Sequence, residues 1–421
     1  MAPCDAVRRR VVLFPLPYLG HMIPMLRLAA ALHASGHAIT VLHTELHAPD
    51  PACYPADYRF VAVPAPDLPA ATEDIAAFLV ALNASCAAAF KDRLAALLAG
   101  GSVRCVVTDV VWFSAQAAAR DLGVPALALM TSSAASFRTF MAYRALLAKG
   151  HLPYDEARGN APVEELPPFR VRDLQRIDAS SLDTFADLLE RFVDAARRSS
   201  GLIVNTFDAI EGPEVGYIRD GLSLPVFPVG SLNRFSPPPP PPPQDGSPCC
   251  LDWLDNQSPG SVLFVSLGTV ASVDAHELAE LAELPGGLAE QIGDRGMVVP
   301  WTPQEKVLGH AAVGAFLTHS GWNSTVEALS EGVPMACLPC FGDQFETARY
   351  ACDVWKVGVE VGRLQRGAVR AAIDRLMGPG IEGEEIRQRA RDLKGKVGQC
   401  IGEGGSSHMA LLGLLERIAS F

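Results

Sequence analysis

The sequence predicts an α/β protein of two doubly wound, parallel-sheet domains facing each other across a cleft. Three observations lead there. The chain has 421 residues, too many for one compact core. Short apolar strands alternate with helical stretches, the pattern of a parallel sheet covered on both faces. That alternation stops at a proline run near the middle and then starts again.

In the first half, VVLFPL (11–16) reads as a strand and 21–36 as a helix, with Pro24 in its first turn and Gly36 past its end. AITVLH (38–43) is the next strand, and a long helical region precedes the strand VRCVVTD (103–109). A short helix, the strand PALALMT (125–131), helical material to about 150 and the strand GLIVNTF (201–207) follow. Then FSPPPPPPPQDGSPCC carries seven consecutive prolines, which no sheet or helix interior accommodates. It reads as a stiff spacer at 234–249 between domains at 1–233 and 250–405. The second half gives strands at 261–268, 296–301, 312–321, 334–340 and 357–361, and helices near 273–283, 366–377 and 383–398. A terminal helix, 406–421, is expected to pack back on the first domain.

Composition narrows the function. The net charge of -12 lacks the basic footprint of a nucleic-acid binder and gives no attraction to anionic membranes. No run reaches the roughly 20 apolar residues of a membrane span. The ten cysteines sit mostly in apolar runs, as small core residues do, and Cys337-x-x-Cys340 has no second pair at zinc-ligand spacing. The expectation is a cytosolic, monomeric protein with no resident metal or cofactor. No G-x-G-x-x-G follows any strand, which removes the dinucleotide fingerprint.

Ligands of open parallel sheets sit beyond the carboxyl ends of the strands. Those ends carry His21, Asp109, Thr269, His319 and Asp343-Gln344. His21 opens a helix, whose positive end favours the neutral imidazole. Asp109 can hold its other nitrogen, and with no serine elbow such a pair suits proton removal from a substrate hydroxyl. Equally, His21 reads as a helix-capping histidine and Asp109 as the N-cap of the helix that follows it. In THSGWNS, Gly321 lets backbone approach a ligand, the amides of Trp322, Asn323 and Ser324 point toward an anion such as a diphosphate, and His319 adds a donor. Ser324-x-x-Glu327 also matches a capping box.

WTPQEKVLGHAAVGAFLTHSGWNSTVEALSEGVPMACLPCFGDQ, residues 301–344, resembles the signature box of plant UDP-dependent glycosyltransferases. FPLPYLGHMIPMLRLA resembles that family's catalytic-histidine segment and VVTDVVWFSAQAAARDLGVP its aspartate segment. The resemblance implies a GT-B fold and inverting transfer from a UDP-sugar to a hydroxyl of a small acceptor. It implies His21 as base and Asp109 as its partner. Trp301 becomes the uracil platform with Thr302 and Gln304 beside it, and Glu327 the ribose ligand. His319, Asn323, Ser324 and Thr269 become diphosphate contacts. Asp343, Gln344 and Thr131 become sugar contacts, with Gln344 going with UDP-glucose.

The chain departs from the family pattern in Ser320, in Thr347, and in a stretch between Val270 and Arg295 too short for the family's extra helix and strand. Such an internal deletion requires the second sheet to close up or leave backbone groups unpaired. Two expectations follow: a glucosyltransferase acting on a small apolar or phenolic plant metabolite, or a catalytically impaired relative.

Overall fold

The structure is a computed structural model that describes residues 9–66, 74–101, 103–175, 181–235, 250–268, 295–299 and 301–421. Residues 236–249 of the expected 234–249 spacer, the expected helix at 273–283, the shortened stretch from 270 to 294 and Thr269 lie outside the described residues, while Arg234 and Phe235 end a short helix, Leu232–Phe235. The chain divides into two compact units. The first takes the described residues of Met1–Glu156, Arg176–Pro239 and Cys400–Phe421, the second those of Ala157–Gln175 and Pro240–Gln399. The segment 157–175, placed by the sequence within the first domain, thus packs in the second.

The first unit holds seven parallel strands: β1 (Arg10–Phe14), β2 (Ala38–His43), β3 (Arg59–Ala62), β4 (Val103–Asp109), β5 (Ala126–Met130), β6 (Leu202–Val204) and β7 (Val226–Pro228). Their order in the sheet is β3-β2-β1-β4-β5-β6-β7. The chain winds outward from β1 to β3, then returns to β4 on the other side of β1. The β1/β4 junction is therefore the switch point, where the crossovers diverge and leave a crevice at the carboxyl edge. β3 and β7 are short strands that the apolar pattern did not single out.

The helices connecting these strands are α1 (Leu19–Ala34), α2 (Ile75–Ala99), α3 (Phe113–Asp121), α4 (Ala134–Ala148), α5 (Leu182–Arg197) and α6 (Asp208–Leu222). Helix α1 begins two residues before the expected start, so Pro24 falls in its second turn. Contrary to the sequence reading, α2 is long and apolar enough, by length and composition alone, to cross a membrane. Its many alanines account for that, and it buries one face in the first unit. Cys86, Phe90 and Leu94 are buried, and Asn83 is held in the interior by hydrogen bonds to Val111 and Ser114. The central core joins Val11, Leu13, Val107, Leu129 and Ile203 of the sheet to Met25 and Leu28 of α1. Leu411, Leu414 and Ile418 of the C-terminal helix Ser406–Ser420 complete it. Phe14 and Trp112 are buried and stacked on each other at 4.3 Å, and Phe137 is buried too.

The second unit has β8 (Val262–Ser266), β9 (Val313–Thr318), β10 (Met335–Cys337) and β11 (Gly358–Glu360), all parallel, in the order β11-β10-β9-β8. Ala315, Leu317, Ala336, Leu338, Val359 and Leu376 form its core. The expected strand at 296–301 is not formed: residues 296–299 and Trp301 carry no regular structure. A strand needs a ladder partner, and β8 pairs with β9 alone among the described residues. The half-exposed side chains of β8 fit an edge position.

Candidate active site

In the first unit, register brings three strand ends together. Phe14 of β1 lies opposite Thr108 of β4, and Asp109 opposite Leu129 of β5. The next residues out are the start of the β1–α1 turn, Asp109 itself and Thr131. His21 is the third residue of α1, and its backbone N–H bonds to the Tyr18 carbonyl at 2.9 Å. That turn aims the ring across the switch point. His21 Nδ1 lies 2.7 Å from Asp109 Oδ2, with the histidine side chain 32% exposed and the aspartate wholly buried. Asp109 Oδ1 accepts from the Val111 N–H at 3.0 Å. The carboxylate is thus fixed at both oxygens by groups of its own strand-to-helix turn and by the ring. It is not the cap of α3, whose N-cap residue is Trp112.

Thr131 Oγ1 is 2.8 Å from His21 Nδ1 and 3.4 Å from Asp109 Oδ2. With the carboxylate as partner, Nδ1 carries the proton and Nε2 keeps its lone pair. A hydroxyl brought to Nε2 can give up its proton there. Sequence reasoning missed the anchor of the α4 start, three residues after Thr131. Glu211, buried, accepts from the N–H groups of Ala134 and Ala135 at the start of α4, both at 2.9 Å, and from the Thr206 hydroxyl at 2.6 Å. Burial pushes this carboxyl up to about 7, against the hydrogen bonds from Thr206, Ala135 and Ala134. No local signal marks it, because its partners lie on other elements.

In the second unit, β9 ends at Thr318 and the chain turns through His319, Ser320 and Gly321 into the helix Trp322–Glu331. Ser320 takes a left-handed backbone, φ 64°, and Gly321 is the N-cap. The helix therefore begins before the point a capping box at Ser324 and Glu327 implies. Ser324 instead receives Gln304 Nε2 at 3.0 Å, and the same nitrogen donates to Glu327 Oε2 at 2.7 Å. Gln304, Ser324 and Glu327 thus meet in one cluster.

His319 is packed between two glycines. A Cβ at Gly268 would lie 2.7 Å from its ring, and one at Gly321 would overlap Nε2. Burial pushes the imidazole below its ordinary 6.5; the Asp343 carboxylate and the Ser266 backbone work the other way. Its Nδ1 is buried without a hydrogen-bond partner among the described residues.

Further on, Asp343 precedes the helix Gln344–Arg349 as its N-cap residue. Gln344 Oε1 accepts from the N–H groups of Cys340 and Phe341 at 2.8 and 3.2 Å, so its amide closes the turn in front of its own helix. Asn323 and Thr302 are half-buried, and Trp301 is 37% exposed. No group of three or more His, Cys, Asp or Glu side chains has metal-ligand geometry among the described residues.

Comparison with known proteins accounts for this arrangement. Residues 259–386 match the family model described as UDP-glucoronosyl and UDP-glucosyl transferase. The chain is 51% identical to DIMBOA UDP-glucosyltransferase BX8 of Zea mays, with 96% of this chain and 97% of that one covered. The chain belongs to the UDP-glycosyltransferases. A second maize relative of this family, DIMBOA UDP-glucosyltransferase BX9, is also 51% identical over 98% of the chain. A UDP-glucosyltransferase of Polygonum tinctorium, solved with 3,4-dichloroaniline, superposes with a TM-score of 0.86 at 26% identity, covering 99% of this chain and all of that one. The fold is GT-B, with two Rossmann-like units, as the sequence predicts. The signature box of a UDP-glycosyltransferase thus supplies the turn around His319, and the histidine and aspartate segments supply the turn around His21.

Proposed function

We propose that the chain is an inverting glucosyltransferase that moves glucose from UDP-glucose to a hydroxyl of a small cyclic plant metabolite of the DIMBOA kind. The observation that carries this reading is the 2.7 Å contact between His21 Nδ1 and Asp109 Oδ2, which leaves Nε2 as the basic atom. In the proposed step, Nε2 takes the acceptor hydroxyl proton while the oxygen attacks C1 of glucose. The bond from C1 to the β-phosphate oxygen breaks, and UDP leaves with the electron pair. Asp109 holds the tautomer and steadies the imidazolium as it forms.

Departure of UDP needs charge stabilisation aimed at the phosphates. The N–H groups of Trp322, Asn323 and Ser324 at a helix N-terminus, together with His319 and Thr269, are assigned to it. Trp301, Thr302, Gln304 and Glu327 are assigned to the nucleoside. Asp343, Gln344 and Thr131 are assigned to the sugar. No metal is required in this scheme. Cytosolic, monomeric action on a soluble acceptor is part of the same reading.

A second reading, a catalytically impaired relative, draws on one observation: β8 pairs only with β9 among the described residues, and 296–299 form no strand. The family comparisons lend it no support. One experiment separates the two. Purified protein is given UDP-glucose with DIMBOA or a panel of phenols, and glucoside and UDP are measured with and without EDTA. Glucoside formation unaffected by EDTA is the expected result. A folded protein that shows neither turnover nor a thermal shift with UDP would overturn the proposal.

A further inference from the structure

We propose that Asp173, far upstream of the signature box, is a positioning residue for the sugar-binding turn of the donor site. The inference rests on the assignment of Asp343 and Gln344 to the sugar. Asp173 lies in the segment 157–175, which packs in the second unit. There it closes a short helical turn, Val171–Asp173, with Oδ2 accepting the Arg170 N–H at 2.8 Å. The same carboxylate accepts Arg349 Nε at 2.6 Å and Nη2 at 3.0 Å, a two-pronged pair in which the arginine side chain is 4% exposed. Two parallel bonds fix orientation as well as distance.

Arg349 is the last residue of the helix that begins at Gln344. At Arg349 that six-residue helix passes into a π-helical turn, Tyr350–Val354, and a helical run this short does not hold its own axis in place. A second anchor sits between its ends, where Gln175 Nε2 donates to Glu346 Oε2 at 2.8 Å. At the front, Gln344 ties down Cys340 and Phe341. Asp173 thus acts through Arg349 on the helix, and through the helix on the turn carrying Asp343 and Gln344.

The segment also reaches the phosphate-side helix. Phe169 lies 5.7 Å from Tyr350, Tyr350 5.5 Å from Trp355, and Trp355 6.4 Å from Trp322, the first residue of the helix after Gly321. A buried ion pair is a poor way to gain stability alone, since apolar residues of similar volume do as well. Its geometric value is orientation, and the groups it orients are those assigned to the glucose.

The test is titration calorimetry of the full chain with UDP, UDP-glucose and UDP-galactose. Asp173→Asn keeps the shape and removes the charge. It is expected to weaken UDP-glucose roughly ten- to a hundredfold while UDP changes by less than about threefold, and to narrow the glucose-over-galactose preference. Arg349→Lys, which keeps charge without the fork, should do the same. Should Asp173→Asn fail to fold, the pair Asp173→Asn with Arg349→Gln removes the buried guanidinium that Asp353 alone would then face, and it should still show the lost preference. A folded variant with wild-type ratios among the three ligands, or one that loses UDP and UDP-glucose equally, would overturn the inference. Wild-type protein that binds none of the three nucleotides would instead refute the donor-site reading, and with it this dependent inference.

Discussion

The turn after β1 and the turn after β9 use one device, a strand feeding a helix through a histidine, and finish it differently. His21 is held by Asp109 and Thr131, at the ends of two adjacent strands. His319 is held by shape, between Gly268 and Gly321, and its Nδ1 is buried without a partner among the described residues. Ser320 Oγ and Thr325 Oγ1 share that condition. A group that must take a proton repeatedly benefits from a fixed tautomer. A group that must meet an anion benefits from being desolvated and unsatisfied until the anion arrives. On the proposed function, the first turn is complete as it stands and the second is a socket for the diphosphate.

Four substitutions test that contrast, in order of decreasing effect. Asp109→Asn should lower kcat by about 10²- to 10⁴-fold with UDP affinity nearly unchanged, as transfer kinetics and calorimetry would show. Equal losses in both would merge the two turns into one function. Gly321→Ala should weaken UDP by roughly tenfold or more while leaving the His21 site intact. Gly321 has an ordinary extended backbone, φ -63° and ψ 143°, so alanine strains nothing except its contact with the His319 ring. Unchanged UDP affinity would show that the glycine is not there for the ring.

The third test is pH. Burial holds free His319 below its ordinary 6.5, and a bound diphosphate favours the imidazolium. Proton uptake then accompanies binding, so UDP affinity should rise by a few-fold as pH falls through the range just below about 6.5. His319→Gln should flatten that rise, and a wild-type profile already flat would remove the argument. The smallest effect concerns Glu211. Its folded pKa, about 7, lies above the ordinary 4.5, so its protonated form contributes stability below about 4.5 that is lost as pH rises through 7. Glu211→Gln should make the fall of Tm with pH across that window shallower by a few degrees. A parallel curve would mean that another group titrates there.

The sequence made the first turn easier to read than the second. β1 and β4 were legible as continuous apolar runs, and strand ends in a parallel sheet point to the site, so His21 and Asp109 stood out. Thr131 was placed only by resemblance, and Glu211 not at all, because what joins them is the adjacency of β4, β5 and β6 rather than spacing. β3 and β7 are short strands at the two ends of the sheet, with too few residues to show a pattern. In the second unit the pattern found the helix after Gly321, while the alternative capping-box reading at Ser324 set its start too late, since a left-handed Ser320 and an N-cap glycine leave no side-chain signature. GMVVPW has the composition of a strand, yet composition cannot supply the ladder partner. Nor could the pattern show that Asp173 belongs beside Arg349, 176 residues away.

The most direct test is the tautomer of His21. Histidine-selective ¹⁵N labelling, with His21→Gln to assign its signals among the ten histidines, reads which ring nitrogen carries the proton near neutral pH. The account predicts a proton on Nδ1 and a lone pair on Nε2, with that preference lost in Asp109→Asn. A proton on Nε2 in the wild-type protein, or a tautomer indifferent to Asp109, would contradict it.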